Sequence, residues 1–275
     1  MIVFPNTKIN IGLNIVSDRP DGYHNLETLF YPIGISDALE VIPGEEGDPE
    51  YTFTSYGLPV AGDVEKNLVV KALHLVKMTH EVPPVHIWLD KRSPMGAGLG
   101  GGSADGAFML VLLNQLFKLD IPENELIGMA AKLGADCPFF VVDKPVYATG
   151  IGEQMTPVSL SLDGFWIVVV KPDVFVSTKD AFAGIHSTPT QMPVCDLITR
   201  PMEDWKNCIS NDFEGSIFPK FPVIAEVKRL LYRAGAVYAS MSGSGASVFG
   251  LFRSEPDEKL KNKLPAGCFY YQNLL

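Results

Sequence analysis

The segment Met95-Gly96-Ala97-Gly98-Leu99-Gly100-Gly101-Gly102-Ser103-Ala104-Asp105-Gly106-Ala107 is the part of the chain best suited to chemistry. Five glycines between Gly96 and Gly102 let the backbone curl around an anion and turn several N–H groups towards it. A helix starting near Ser103 adds the partial positive charge of its N-terminus. Each such interaction is worth about 0.3–1 kcal/mol at an exposed end and more when partly buried, so several together hold a polyphosphate with main chain. Two better-known phosphate loops fit poorly. A P-loop needs Lys after its last glycine, where this chain has Ser103. A dinucleotide fingerprint needs G-x-G-x-x-G with an acidic residue about 20 positions on, and Gly96-x-Gly98-x-Gly100 does not match it. A plain flexible linker would not be flanked so tightly by a strand and an apolar helix.

Elements must hold such a loop in place. Upstream, Val85-His86-Ile87-Trp88-Leu89 alternates as a strand does, and Phe108 to Phe117 is helical in composition, so the order is strand, glycine loop, helix. Apolar residues at Leu68, Val69, Ala72, Leu75 and Val76 predict a helix over Asn67 to Thr79. The first third reads as β-rich over Met1 to Ser17 and Thr28 to Pro43, with a turn at Arg19-Pro20-Asp21-Gly22-Tyr23-His24 and a solvated loop over Gly44 to Glu50. A helix from Pro122 to Leu133, with Pro at its first position and Gly134 beyond its end, delivers Asp136 into a turn. A strand at Val146 to Thr149 precedes Gly150-Ile151-Gly152-Glu153, the expected boundary of a second unit. That unit holds a strand at Phe165 to Val170, an amphipathic helix at Val223 to Arg233, and two strands around Ser242-Gly243-Ser244-Gly245.

The 275 residues allow two small domains or one large α/β unit. With 47% hydrophobic and 20% charged residues the chain can bury a core. A net charge of -10 argues against a nucleic-acid binder, so an anionic ligand must be held locally. No apolar run approaches the roughly 20 residues that cross a bilayer, and the start lacks the pattern of a secretory signal, so a cytoplasmic protein is expected. Cys137, Cys195, Cys208 and Cys268 lie far apart with no C-x-x-C pair, which suggests neither a zinc site nor a disulfide framework; they read as reduced and mostly buried.

Pro94-x-Gly96-x-Gly98-Leu99-Gly100-Gly101-Gly102-Ser103 resembles the second motif of the GHMP kinases, the superfamily of galactokinase, homoserine kinase and mevalonate kinase. Lys8-Ile9-Asn10-Ile11-Gly12-Leu13 resembles the first motif and Ser242-Gly243-Ser244-Gly245-Ala246 the third, so the resemblance spans nearly the whole chain. Asp21-Gly22-Tyr23-His24, Leu133-Gly134-Ala135-Asp136-Cys137-Pro138-Phe139 and Asn211-Asp212-Phe213-Glu214 resemble the branch that acts on a cytidine-diphosphate-linked methylerythritol. The resemblance implies an α+β, two-domain GHMP kinase fold: a ribosomal-protein-S5-like N-terminal domain over residues 1–150 and an α/β-sandwich C-terminal domain over 151–275, with the option that the last strand returns to the first. It implies that the γ-phosphate of ATP moves to the 2-hydroxyl of 4-diphosphocytidyl-2-C-methyl-D-erythritol, in the non-mevalonate pathway of isopentenyl diphosphate synthesis. Mg²⁺ would be carried with the nucleotide, no protein metal site is expected, and the enzyme would be a monomer or homodimer.

The same resemblance implies roles. Lys8 and Asp136 would face each other at the acceptor hydroxyl, Asp136 as base. Without the family, Asp136 is a turn former and Lys8 an exposed strand lysine. ATP would be held by Asn67, Lys91, Pro94, Gly96, Gly98, Leu99, Gly100, Gly101, Gly102 and Ser103. On residue type alone Asn67 is a helix cap, Lys91 a solvated strand end, and Ser103 an N-cap, a phosphate or Mg²⁺ contact, or both. For the substrate, Asn10 would bind the acceptor end, Tyr23 would stack on the cytosine, His24 would bond it, and Phe182, beyond Ser177 and Thr178, would cover the opposite face. The plain alternatives are a strand-end cap for Asn10 and a core-packed turn for Tyr23 and His24. The chain departs from many relatives at Ala104 and Gly106, where Ser and Ala are usual; a glycine there costs the early helix about 1 kcal/mol relative to Ala.

Overall fold

The computed structural model describes residues 1–275 except 61, 184, 186 and 188–191. In chain order the elements begin with β1 (Ile2–Val3), β2 (Asn6–Asp18), β3 (His24–Ser36), β4 (Ala38–Pro43), β5 (Tyr51–Gly57), α1 (Leu68–Lys77) and β6 (Val85–Lys91). The middle holds α2 (Gly101–Phe117), α3 (Glu123–Leu133), α4 (Cys137–Val142), β7 (Val146–Thr149), β8 (Gln154–Pro157) and β9 (Trp166–Lys171). The remainder is α5 (Thr178–Phe182), α6 (Val194–Leu197), α7 (Met202–Cys208), α8 (Phe213–Lys220), α9 (Pro222–Arg233), β10 (Tyr238–Met241), β11 (Val248–Phe252), α10 (Lys259–Asn262) and β12 (Phe269–Leu274). The mixture of sheets and helices is the expected α+β class.

Two compact units emerge, each discontinuous in sequence. The first takes Met1–Thr7, Ile35–Met95 and Gly100–Lys144; the second takes Lys8–Gly34, Gly96–Leu99 and Pro145–Leu275. The glycine loop itself is divided, with Gly96–Leu99 belonging to the second unit and Gly100 onward to the first.

The first unit has a sheet of order β1-β4-β6-β5. Strands β5 and β6 are parallel, which requires the crossover that α1 supplies. Val85, Ile87 and Leu89 of β6 are buried while His86, Trp88 and Asp90 are half-exposed, the alternation read from the sequence. Helices α1, α3 and α4 pack against α2. Gly106 has a packing reason: a Cβ there would lie 2.8 Å from the Leu68 Cβ of α1. Its cost in helix propensity is offset by the close approach of the two helices.

The second unit contains two sheets, β2-β3-β7-β8 and β10-β11-β9-β12. Its core gathers Leu13 and Ile15 of β2, Val168 and Val170 of β9, Phe213 and Ile217 of α8, and Ile224, Val227 and Leu231 along one face of α9. The last strand, β12, pairs antiparallel with β9. The short helices α5 to α8 lie in a stretch that carries no clear sequence periodicity.

Candidate active site

Within the second unit, three segments far apart in sequence come together. Lys8 is only 3% exposed. A buried ammonium must be hydrogen-bonded, and its Nζ donates to Asn10 Oδ1 at 2.5 Å and to the Gly98 carbonyl at 3.3 Å, while lying 4.9 Å from the Phe30 ring centroid. The exposed-lysine alternative is thereby removed. Asn10 sits inside β2, not at its end: Nδ2 donates to Thr28 Oγ1 at 2.9 Å, and Thr28 Oγ1 donates to the Gly12 carbonyl at 2.5 Å. Ser242 Oγ donates to the Gly98 carbonyl at 2.8 Å and accepts from the Asn10 backbone N–H at 3.2 Å. Asn211 Nδ2 donates to the carbonyls of Met241 and Gly243, each at 2.8 Å, which fixes the turn after β10. Gly98 cannot be another residue here. Its φ is +71°, and a Cβ would lie 2.0 Å from the Ser242 carbonyl oxygen. The Leu99 carbonyl accepts the Lys8 N–H at 2.9 Å, so the first motif and the glycine loop are tied by main chain as well.

Also in the second unit, His24 stacks face to face on Phe182, ring centroids 5.0 Å apart and planes 7° from parallel, and Phe182 in turn meets Phe213 edge-on at 4.8 Å. One face of Phe182 is thus occupied by His24. His24 Nδ1 lies 2.8 Å from Asp18 Oδ1. Tyr23 is 61% exposed, so it is not a core-packed turn residue. Thr178 is the exposed first residue of α5, whose cap is Ser177, accepting the Asp180 N–H at 3.0 Å. The structure therefore brings Asn10 to Lys8 and Phe182 to His24.

The first unit holds a cavity of about 230 Å³ lined by Phe53, Asn67, Leu68, Lys91, Gly102 and Asp105, among others. Asn67 is also the cap of α1, its Oδ1 accepting the Val69 N–H at 2.9 Å, so the cap and the lining role coexist. Lys91 is not a solvated strand end. It is 1% exposed, and its Nζ bonds Asp37 Oδ2 at 2.5 Å and Asp105 Oδ2 at 2.6 Å. Asp37 also accepts the Arg92 and Ser93 N–H groups and the Ser93 hydroxyl. Burial works to raise the Asp37 carboxyl, but Lys91 and the Ser93 donors outweigh it and hold the group below its ordinary value. Asp105 is pushed up to about 7, first by burial, against the pull of Lys91 and with the added repulsion of Asp37. Its Oδ1 has no hydrogen-bond partner.

Helix α2 begins at Gly101, with Gly100 as its cap residue at φ +72°, so Ser103 lies inside the first turn and is not the N-cap. Gly101 and Gly102 start this helix, and Pro94 is buried just ahead of the loop. Asp136 is half-buried in the turn from Gly134 to Cys137, at the cap position of α4, where its side chain makes no cap hydrogen bond. Next to it the Cys137 thiol is pushed up to about 11 by burial, which leaves it an inert apolar filler. Of the four thiols only Cys137 is buried, the others being half-buried. Sequence reasoning missed Asp37, Asp105, Thr28 and Asp18. Ser242 and Asn211 stood in quoted motifs without a role. Among the described residues no group of three or more His, Cys, Asp and Glu could hold a metal ion, and no helix is long and apolar enough to cross a membrane.

The glycine loop, the buried lysine of the first strand motif and the serine turn after β10 define a class, and the family models agree. The model described as GHMP kinases N terminal domain matches residues 67–144, and that described as GHMP kinases C terminal matches 196–268. The chain belongs to the GHMP kinases, whose phosphate donor is ATP. Its relatives narrow the class further. It is 53% identical over 275 residues to the 4-diphosphocytidyl-2-C-methyl-D-erythritol kinase of Bacteroides fragilis, covering 100% of both chains. It is 50% identical to the enzyme of the same name from Parabacteroides distasonis, again over 100% of both. Among solved structures, a crystal structure of 4-(cytidine 5'-diphospho)-2C-methyl-D-erythritol kinase matches with a TM-score of 0.81 and 29% identity, over 99% of this chain and 98% of that one.

Proposed function

We propose that the chain transfers the γ-phosphoryl group of ATP to the 2-hydroxyl of 4-diphosphocytidyl-2-C-methyl-D-erythritol, in the methylerythritol phosphate route to isopentenyl diphosphate. Identity above 50% over the whole length of a relative of that name supports the reaction. The observation that carries the site is the buried Lys8, wired to Asn10 and to the Gly98 carbonyl that Ser242 also holds.

Phosphoryl transfer has a loose transition state, so positioning and charge neutralisation matter most. In the proposed roles the glycine-loop amides and the α2 N-terminus take the phosphates, and Lys8 offsets charge on the transferring group. Asp136 accepts the proton as the substrate oxygen bonds to phosphorus and ADP departs. The first-unit cavity takes the base of the nucleotide, with Asn67 and Leu68 at its wall. Lys91 acts there through Asp105 and Asp37, not as a free phosphate ligand. Exposed Tyr23 offers a ring for the cytosine, His24 meets its edge, and Phe182 supports His24. Thr178 stands at the head of α5, the helix that ends at Phe182. Mg²⁺ would ride on the nucleotide phosphates. In chain order the two family domains are assigned to residues 1–150 and 151–275, and the enzyme is placed in the cytoplasm as a monomer or homodimer. Measuring ATP consumption with the cytidyl substrate, mevalonate and homoserine tests the assignment. Turnover of the cytidyl substrate alone is expected; phosphorylation of only the other two would overturn it.

A further inference from the structure

Asp18 is the last residue of β2 and His24 the first of β3, so the hairpin between them sets the two side chains face to face. His24 Nδ1 is 2.8 Å from Asp18 Oδ1, and Ser187 Oγ donates to the other oxygen, Asp18 Oδ2, at 3.2 Å. An ionised carboxylate only accepts hydrogen bonds, so the proton of this contact sits on Nδ1. The ring cannot turn away freely, because Phe182 lies flat against it and is itself braced by Phe213. A neutral imidazole with its proton on Nδ1 presents a bare lone pair at Nε2. Nε2 makes no hydrogen bond to any described residue.

We infer that Asp18 is a specificity-determining positioning residue: by fixing the Nδ1–H tautomer of His24, it makes Nε2 an acceptor that selects a pyrimidine carrying an exocyclic amino group. Cytosine offers an N–H donor at its 4-position, where uracil offers a carbonyl oxygen. Two facing acceptors repel, so a uridine analogue loses a hydrogen bond and leaves Nε2 unsatisfied. The inference rests on the proposed reading that His24 meets the base. Asp18 itself need not touch the substrate; it acts through the imidazole.

The experiment combines a spectrum with kinetics. Nitrogen-15 NMR of the free protein, recorded well above the imidazole titration range and with His24 assigned by its loss in His24→Gln, should show Nδ1 protonated and Nε2 bare. In Asp18→Ala the tautomer populations should move towards Nε2–H. That variant should raise KM for the cytidyl substrate about tenfold, with smaller changes in kcat and in KM for ATP, and narrow the preference over the uridine analogue by a similar factor. Asp18→Glu should restore much of both. A wild-type His24 protonated on Nε2 overturns the inference, as does an unchanged cytidine-to-uridine preference in Asp18→Ala while His24→Gln impairs binding. If His24→Gln leaves KM for the cytidyl substrate unchanged, the base does not meet His24, and the proposed site fails together with the inference.

Discussion

Lys91→Met tests the electrostatics of the first unit most directly. The wild-type ammonium is 1% exposed between Asp37 at 2.5 Å and Asp105 at 2.6 Å. Met keeps the side-chain length and removes the charge, leaving two buried carboxyls facing each other. Breaking a buried ion pair from one side costs about 3–5 kcal/mol. At roughly 2–4 °C per kcal/mol for a chain of this size, the melting temperature should fall by roughly 6–20 °C. The pH dependence carries the sharper sign. In the wild type, Asp105 is held above its unfolded value, up to about 7, so the folded state keeps a proton that the unfolded state has lost. That part of the stability falls as pH rises from the ordinary carboxyl range to about 7 and is flat beyond. Asp37 is held below its ordinary value and acts oppositely, its contribution being lost only as pH falls below that range. Without Lys91 both carboxyls are raised, so the deficit of the variant should grow with pH through neutrality and shrink in mild acid. Urea titrations of both proteins across that range would show it. A deficit below about 1 kcal/mol, or one of equal size at all pH values, would refute the buried-triad reasoning.

Asp136→Asn should lower kcat by about 10²–10⁴-fold with little effect on nucleotide binding, measured by steady-state kinetics beside a nucleotide titration; near-normal turnover would remove the base from the proposal. Gly98→Ala places a Cβ 2.0 Å from the Ser242 carbonyl in a left-handed conformation, so the loop must move; KM for ATP should rise and a melt should show a loss of a few kcal/mol. Tyr23→Ala removes an exposed ring, so stability should stay within about 0.5 kcal/mol while KM rises for the cytidyl substrate far more than for ATP.

Local pattern was enough for most elements near the site. Alternation at Val85 to Leu89 gave β6, the 3.6-residue period at Leu68, Val69 and Ala72 gave α1, and Gly134 marked the end of α3. The helices α5 to α8 escaped because they are short and their apolar faces are set by what they pack on, as with Phe182 against Phe213. The start of α2 was misplaced by two residues because glycines at 101 and 102 read as loop, whereas packing carries them into the helix.

By itself the sequence determined the two glycine- and serine-rich segments, Gly96 to Ser103 and Ser242 to Gly245, because a turn with positive φ or a phosphate cradle demands particular residue types at fixed spacing. Only the tertiary structure decided which distant groups meet them. Asp37 is 54 residues from Lys91, and Ser242 is 232 residues from Asn10, so no local period connects either pair. Burial then changed what the named residues are. Lys8 and Lys91, which look like surface lysines in the chain, become desolvated charges that must be held by specific oxygens, and that requirement ties the loops to the strands.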